Sequence, residues 1–211
     1  NTNPSWCLLA IDCSNAYGSI LRDKIKNALS AVSTKTGCSL TQTYFTRYCD
    51  PSQTIRSHTG ASWTMAEGVM QGDPLSPLLF ALALDSTLQL TQTSLSQSCA
   101  GSRVFAYLDD VCLIGPAIAV SSAFTIFKTH AQSAGLTVNV GKTQVLSLSD
   151  PELHSDSGVH SLIAHHQLSQ ATQCITLLGA PLGIPTLEQT QALTVLVDDS
   201  KFQRLGQVPN K

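Results

Sequence analysis

The chain contains short, wholly apolar segments that are interrupted or ended by acidic residues. Two of these segments are Trp6–Ile11 (WCLLAI) and 104–114 (VFAYLDDVCLI). Segments this short and this apolar are typical of strands that are buried on both faces of a sheet. Asp12 ends the first segment, and Asp109 and Asp110 lie in the middle of the second. The pattern therefore predicts a strand ending at Asp12 and a hairpin that carries the two adjacent acids at its tip.

Other stretches place apolar residues three or four positions apart, which predicts helices. One helix is predicted around 25–32 with its end at Gly37, and another over 121–134 with its end at Gly135. The weaker patterns predict helices over 40–48 and 188–205 and strands over 54–58, 63–66 and 143–148, and leave the Ser-, His- and Gln-rich residues 150–174 unassigned.

A further motif, EGVMQGDPLSPLLF, lies between the acids. Gly68 and Gly72 permit unusual backbone angles and the close approach of another segment. Asp73 is predicted as a helix N-cap with Pro74 at the first helical position. An ordinary capped core helix would explain the Asp-Pro pair but not the preceding Gln71 and Gly72. The leucines that follow at helical spacing predict a long buried helix: Leu75, Leu78, Leu79 and Leu82.

The acids suggest metal chemistry. Burying carboxylates in an apolar segment costs free energy unless a cation compensates their charge. Asp109 and Asp110 alone are equally well explained as turn residues. If the Asp12 strand lies beside the hairpin, however, three carboxylates converge at one edge of the sheet. Such a cluster suits two divalent cations that catalyse phosphoryl or nucleotidyl transfer, and Mg²⁺ prefers oxygen ligands of this kind.

Several motifs in this order resemble the palm subdomain of a reverse transcriptase. DCSNAY (12–17) is similar to the family's first acidic motif, and GVMQGDPLSPLLF (68–80) to its template and nucleotide grip. YLDD (107–110) is similar to the acidic box on the hairpin. LTVNVGKT (136–143) is similar to the following Asn-x-x-Lys-Thr segment, and LLGAPLG (177–183) lies where the primer-grip hairpin begins.

The resemblance covers about residues 6 to 184. It implies an α+β fold, a polymerase palm whose antiparallel sheet is backed by helices, in a fragment that lacks most of the fingers and thumb. We expect residues 1–184 to be this partial palm and 185–211 to be a C-terminal helical segment at the start of a thumb. The wording of the QGDPLSP motif resembles the LINE-like retrotransposons without long terminal repeats. Leu108 departs from that group, which usually has Ala there.

The resemblance also implies catalytic and metal-binding roles for the acids. Asp12 and Asp109 would be the principal ligands of two Mg²⁺ ions, for which Mn²⁺ could substitute. The main-chain carbonyl of Cys13, counted with the nucleotide site, would add a further oxygen. Asp110 would contribute charge more than direct ligation.

The nucleotide-binding residues follow from the same resemblance. Tyr17, five positions after the first Asp, would place a ring beneath the sugar, where it collides with a 2′-hydroxyl; the alternative is a buried aromatic before a helix. Gln71 and Gly72 would line the nucleotide and template pocket. Lys142 would approach the departing pyrophosphate or donate a proton, although an exposed turn lysine is an equal interpretation.

The implied function is RNA-directed DNA synthesis for a retrotransposon, transferring a nucleotide from a dNTP to a primer 3′-hydroxyl. The partners are an RNA template, a DNA primer and dNTPs, and protein partners stay open. One alternative is an RNA-dependent RNA polymerase, against which Tyr17 argues. Another is a catalytically silent nucleic-acid-binding or scaffold remnant of a decayed element. We expect the isolated fragment to be weakly active or inactive.

Composition agrees with this interpretation in part. The chain has 211 residues, is 43% hydrophobic and carries a net charge of −2, with 12 basic against 14 acidic residues. A polymerase needs cations along the phosphate backbone, so we expect a basic fingers subdomain and a thumb outside this fragment. No apolar run of membrane-spanning length and no signal peptide is present, and we expect no membrane partner.

Two residue classes bear on location and on alternative metal sites. The seven cysteines are widely spaced without a Cys-x-x-Cys pair, which indicates reduced residues of an intracellular protein. Nucleus and cytoplasm are not distinguished by composition, and the resemblance implies nuclear action. The histidines His154, His160, His165 and His166 are interpreted as a solvated loop rather than a metal site.

Overall fold

A four-stranded antiparallel sheet organises the part of the chain that the structure, a computed structural model, describes: residues 6–37, 44, 54–64, 67–148, 157–168, 174–177 and 180–183. In spatial order its strands are β5 (Arg103–Tyr107), β6 (Asp110–Pro116), β1 (Trp6–Ile11) and β8 (Gln144–Ser147). The remaining elements are β2 (Cys13–Ser14), α1 (Ala16–Ser19), α2 (Arg22–Thr36), β3 (Thr54–Arg56), β4 (Ser62–Thr64), α3 (Ser76–Ser98), α4 (Ala117–Ser133), β7 (Thr137–Val138), α5 (Ser157–His166), β9 (Cys174–Leu177) and β10 (Ala180–Gly183).

The central strand β1 is buried on both faces, as its apolar sequence predicts. Leu9 belongs to the main core, which includes Phe80 of α3 and Phe124 of α4. Leu8, on the opposite face, packs in a second cluster with Ile175 of β9. Helices therefore cover one face of the sheet, and the β9–β10 hairpin contributes to covering the other. This is the predicted α+β architecture of an antiparallel sheet backed by helices.

Helices α2 and α4 confirm the predictions made from apolar spacing. The helix α2 ends at Gly37, which has the left-handed φ of 70° that was expected of a C-terminal glycine. The helix α4 begins at Ala117, four residues before the predicted start at 121. It starts early because Pro116, with φ −58°, ends β6 and is already compatible with a helix.

The start of α3 differs from the prediction. Its N-cap is Leu75 rather than Asp73, and Pro74 precedes the helix. Instead of capping, the Asp73 carboxylate accepts a hydrogen bond from the Leu75 N–H at 3.0 Å, which stabilises the turn before the helix. The predicted burial of this helix is seen at Leu79 but not at Leu78, which is 44% exposed.

The less patterned regions are described only in part. The predicted helices over 40–48 and 188–205 lie outside the described residues, apart from the helical and buried Tyr44. The strands β3 and β4 pair antiparallel and correspond to the strands predicted over 54–58 and 63–66. The helix α5 lies in the segment 150–174 that the sequence left unassigned. Within the described ranges, no helix is long and apolar enough to cross a membrane.

Candidate active site

Asp12 and the acidic hairpin meet at one end of the sheet. The strand β1 pairs with β6 in a register that sets Ile11 across from Val111. Continuing that register by one residue puts Asp12 across from Asp110. The strands thus bring together the acids of two motifs that lie almost a hundred residues apart in sequence, as predicted from their apolar flanks.

The turn between β5 and β6 raises Asp109 to the tip of the hairpin. Tyr107 pairs with Asp110, so that only Leu108 and Asp109 form the turn. Two-residue hairpin turns require a positive φ, and Leu108 has φ 57°. A leucine in this conformation costs about 1–3 kcal/mol. The surrounding strands therefore stabilise a strained turn, and this turn carries Asp109.

The acids lie in one another's electrostatic field. The pKa of Asp110 is raised by burial and by the negative charges of Asp109 and Asp12. The pKa of the Cys13 thiol is raised to about 12 by burial and by Asp12 and Asp109. Partial burial and the neighbouring negative charges thus both favour the neutral form of Asp110. Cys13 is therefore a neutral thiol at pH 7.

The negative charge of this site suits a divalent cation, but the side chains that the structure describes do not already form a complete set of metal ligands. In the described segments, no group of three or more His, Cys, Asp or Glu side chains is arranged to hold a metal ion. The repulsion that raises the pKa of Asp110 would nevertheless be relieved by a cation, and carboxylate oxygens are the ligands that Mg²⁺ prefers. The donor set suits the predicted ions, whereas the ligand roles themselves stay predictions.

Tyr17 stands beside the acids on the short helix α1. Its ring stacks on Phe80 of α3, with centroids 4.8 Å apart and planes 6° from parallel. The pKa of its hydroxyl is raised by burial and by the charge of Asp109. The main-chain carbonyl of Tyr17 also accepts a hydrogen bond from Val69 at 2.8 Å. The stack on Phe80, which the sequence did not indicate, therefore holds the ring, and the bond from Val69 holds the main chain of the same residue.

The loop before α3 is attached to the same segment. The N–H of Gly68 donates to the carbonyl of Ile20 at 2.9 Å, and Gly68 packs directly on the main chain of Gly18. This is the close approach predicted for a glycine here. Gln71 and Gly72 follow as exposed residues. They are thus linked to the site through the main chain, and their contact with a nucleotide stays a prediction.

Lys142 lies exposed on the turn between β7 and β8. The N–H of Asn139 in this turn donates to the Asp12 carbonyl at 2.8 Å. The Asp12 N–H donates to Thr143 Oγ1 at 3.3 Å. Asn139 and Thr143 were not predicted as neighbours of Asp12, although both belong to the Asn-x-x-Lys-Thr segment.

Two exposed aromatic residues on β5 were also missed. Phe105 is 54% and Tyr107 is 63% exposed. Phe105 pairs with Cys112 and Tyr107 with Asp110, so both rings lie on the sheet face that carries Asp110. They could have been predicted to share one face of the sheet, because they are two positions apart on a strand.

Comparison with known proteins agrees with this geometry. The family model described as reverse transcriptase (RNA-dependent DNA polymerase) matches residues 1–186. No curated protein gives a significant match. Telomerase from Candida tropicalis in complex with a TWJ fragment of telomeric RNA is similar in structure, with a TM-score of 0.61, 13% identity, and coverage of 86% of this chain and 29% of that chain.

Two further telomerase structures are similar. Apo telomerase from Candida tropicalis has a TM-score of 0.61 at 12% identity, covering 86% of this chain and 32% of that chain. Telomerase from Candida albicans with the TWJ fragment has a TM-score of 0.56 at 15% identity, covering 85% and 29%. This chain thus spans 29–32% of the length of these structures, and the likeness shows a shared palm fold. Since the family model covers most of its length, the chain belongs to the reverse transcriptase family.

Proposed function

We propose that this chain is the catalytic palm of an RNA-directed DNA polymerase, which joins a deoxynucleotide to a primer 3′-hydroxyl on an RNA template. The observation that carries the proposal is the register that sets Ile11 across from Val111, which brings Asp12 next to Asp110, with Asp109 in the adjoining turn. Acids on separate strands that meet at the end of a sheet are suited to a shared cation rather than to a structural turn.

Two Mg²⁺ ions, or Mn²⁺ in their place, are the proposed cofactors. When bound, they would activate the primer hydroxyl and neutralise the triphosphate and the leaving pyrophosphate. Asp12 and Asp109 would hold them with the main-chain carbonyl of Cys13, and Asp110 would add negative charge. The neutral Cys13 thiol, with its pKa of about 12, would not compete as a thiolate ligand.

Tyr17 is the proposed sugar gate. Its ring is held against Phe80 and lies within the field of Asp109, so a sugar presented to the acids would meet the ring. A rigid ring would exclude the 2′-hydroxyl of a ribonucleotide. Gln71 and Gly72 would line the same pocket, and Lys142 would meet the departing pyrophosphate.

The nucleic acid would lie across the exposed aromatic face of β5. Phe105 and Tyr107 present their rings beside Asp110, and bases stack on exposed aromatic rings without sequence preference. One similar telomerase structure holds a telomeric RNA fragment, which is consistent with RNA as a partner of this fold. We further propose a LINE-like retrotransposon as the source of the chain, from the wording of the motif at 71–77, and hence action in the nucleus.

Primer extension on an RNA template tests the proposal. The assay should be run on this chain and on any longer protein that contains it, because a net charge of −2 offers a template few compensating cations. The wild-type protein should incorporate deoxynucleotides, and Asp12→Ala or Asp109→Ala should abolish synthesis because each removes a carboxylate that would hold the ions. Synthesis by either variant at the wild-type rate would contradict the proposal.

The same assay tests the sugar gate and the alternative polymerase. Tyr17→Ala should retain DNA synthesis and admit ribonucleotides, because only a steric wall is removed, and Tyr17→Phe should still exclude them. A Tyr17→Ala protein that still rejects ribonucleotides would contradict the gate. A wild-type protein that prefers ribonucleotides would replace the proposal by an RNA-dependent RNA polymerase, and inactivity with intact RNA binding would favour the silent remnant.

A further inference from the structure

The turn that carries Lys142 is fastened to both main-chain polar groups of Asp12. The N–H of Asn139 donates to the Asp12 carbonyl at 2.8 Å, and the N–H of Asp12 donates to Thr143 Oγ1 at 3.3 Å. The Thr143 hydroxyl donates in turn to the carbonyl of Asn139 at 2.9 Å. These three bonds close a ring between the catalytic strand and the turn.

The sheet register explains why a side chain is needed in this ring. Pairing of β1 with β8 stops at Ala10 and Gln144, and pairing resumes between Cys13 of β2 and Val138 of β7. Between these two pairs, one segment has two residues (11–12) and the opposite segment has five (139–143). The extra residues bulge out of the sheet, and a bulge leaves ladder hydrogen bonds unmade. The Thr143 hydroxyl supplies the acceptor that a regular strand would have offered to the Asp12 N–H.

Burial makes this hydroxyl hard to replace. Thr143 is 0% exposed, so water does not reach its side chain. A hydrophobic side chain of the same shape would leave the Asp12 N–H without this acceptor. The hydroxyl and the methyl group of Thr143 are thus separable by substitution: valine keeps the shape and loses the hydrogen bonds, whereas serine keeps the hydroxyl.

We propose that Thr143 is a positioning residue, which holds Asp12 in place for its cation and ties it to the turn that carries Lys142. The inference rests on the proposed function, since it assigns Thr143 a part in the cation site. Without the hydroxyl the main chain at Asp12 can shift, and its carboxylate would no longer meet the ion in a fixed position. Loss of a group that orients a metal ligand typically lowers metal affinity about 10–100-fold.

The test is Mn²⁺ binding to the 211-residue chain, followed through the free ion by electron paramagnetic resonance. Thr143→Val should weaken binding about tenfold or more, and Thr143→Ser should stay within about twofold of wild type. Asp12→Asn identifies the site, because binding should be lost in it. Equal affinity of wild type and Thr143→Val, or equal weakening in both Thr143 variants, would overturn the inference.

Hydrogen exchange of the Asp12 amide gives a second readout that needs no metal. The amide should be protected in the wild-type chain and in Thr143→Ser, and should exchange about tenfold faster in Thr143→Val. An unprotected wild-type amide would overturn the inference even if Thr143→Val failed to fold. A wild-type chain with a protected amide but without Asp12-dependent Mn²⁺ binding would instead contradict the proposed cation site and the positioning role together.

Discussion

At the scale of single residues, Gly68 is a position where the main chain leaves no room for a side chain. It has φ 75°, and a Cβ atom there would overlap the carbonyl of Gly18, whose carbon would be 2.6 Å away. That contact joins the loop before α3 to the segment that follows Asp12. The spacing of the motif predicted a close approach at this glycine but not its partner, because the partner is set by tertiary packing.

Gly68→Ala should therefore lower the free energy of unfolding by more than about 3 kcal/mol, since it adds a clash with main chain to an unfavourable φ. Gly72→Ala is the matched control. Gly72 has a similar φ of 84°, but a Cβ atom there would meet nothing within 4 Å, so the cost should be only about 1–2 kcal/mol. Urea unfolding measures both, and equal effects would show that the contact with Gly18 is not tight.

Asp110 should make the metal-free chain less stable at neutral pH. Its pKa in the folded protein is raised above the ordinary 3.8 by burial and by Asp109 and Asp12. The folded state therefore binds this proton more readily than the unfolded state, and stability is lost as the pH rises through the folded pKa. Asp110→Asn should raise the melting temperature at pH 7 without metal, and the gain should vanish below pH 3.8. A destabilised variant at pH 7 would contradict the repulsion.

At the scale of elements, the helix α5 shows why some structure escaped prediction. Its buried residues, Val159, Leu162 and His166, have helical spacing, but the third position is a histidine instead of an apolar residue. The ring of His166 packs edge-on against Phe124 of α4 at 4.9 Å. The interpretation of these histidines as a solvated loop is therefore wrong, because His160, His165 and His166 lie on a helix and the ring of His166 is buried with tertiary hydrogen bonds. His154 lies outside the described residues.

The docking of α5 on α4 should depend on pH. His166 Nε2 lies 3.0 Å from Ser121 Oγ, and Lys128 Nζ donates to Nδ1 at 3.0 Å. Burial and the positive charge of Lys128 lower the pKa of His166 to about 4. The folded state thus disfavours the charged ring, so stability is full above pH 6.5 and falls as the pH drops toward 4.

Unfolding experiments at pH 7, 6 and 5 measure this effect. His166→Gln should remove part of the loss of stability between pH 7 and 5, because the titrating ring is gone. His58→Gln is the control, since His58 is exposed and lies between β3 and β4, and it should keep the wild-type pH dependence. Identical pH profiles for His166→Gln and wild type would show that protonation of this ring does not cause the pH dependence of stability.

At the scale of the whole molecule, the sequence predicted the parts that depend on local pattern. The apolar runs around Asp12 and Asp109 predicted buried strands, and the two acidic motifs predicted that these strands are neighbours. The ring formed by Asp12, Asn139 and Thr143 was not predictable, because it depends on a bulge between strands that are far apart in sequence. The exposed faces of α3 and β5 were missed as well, since apolar content alone does not show which neighbours cover a residue.

The net charge has a consequence at the same scale. A palm with a charge of −2 and a cluster of three acids repels a phosphate backbone unless cations intervene. Divalent ions at Asp12 and Asp109 would reverse the local charge that the primer and triphosphate meet. The proposed cation site is therefore the feature on which both the chemistry and the binding of nucleic acid would depend.

Thermal unfolding with and without millimolar Mg²⁺ tests that site most directly. A ligand that binds only the folded state raises its stability by mass action, so Mg²⁺ should raise the melting temperature of the wild-type chain. Asp12→Asn and Asp109→Asn should lose that increase, and Asp85→Asn, an exposed acid on α3, should retain it. A wild-type melting temperature that Mg²⁺ leaves unchanged, or one that rises equally in Asp109→Asn, would contradict the account.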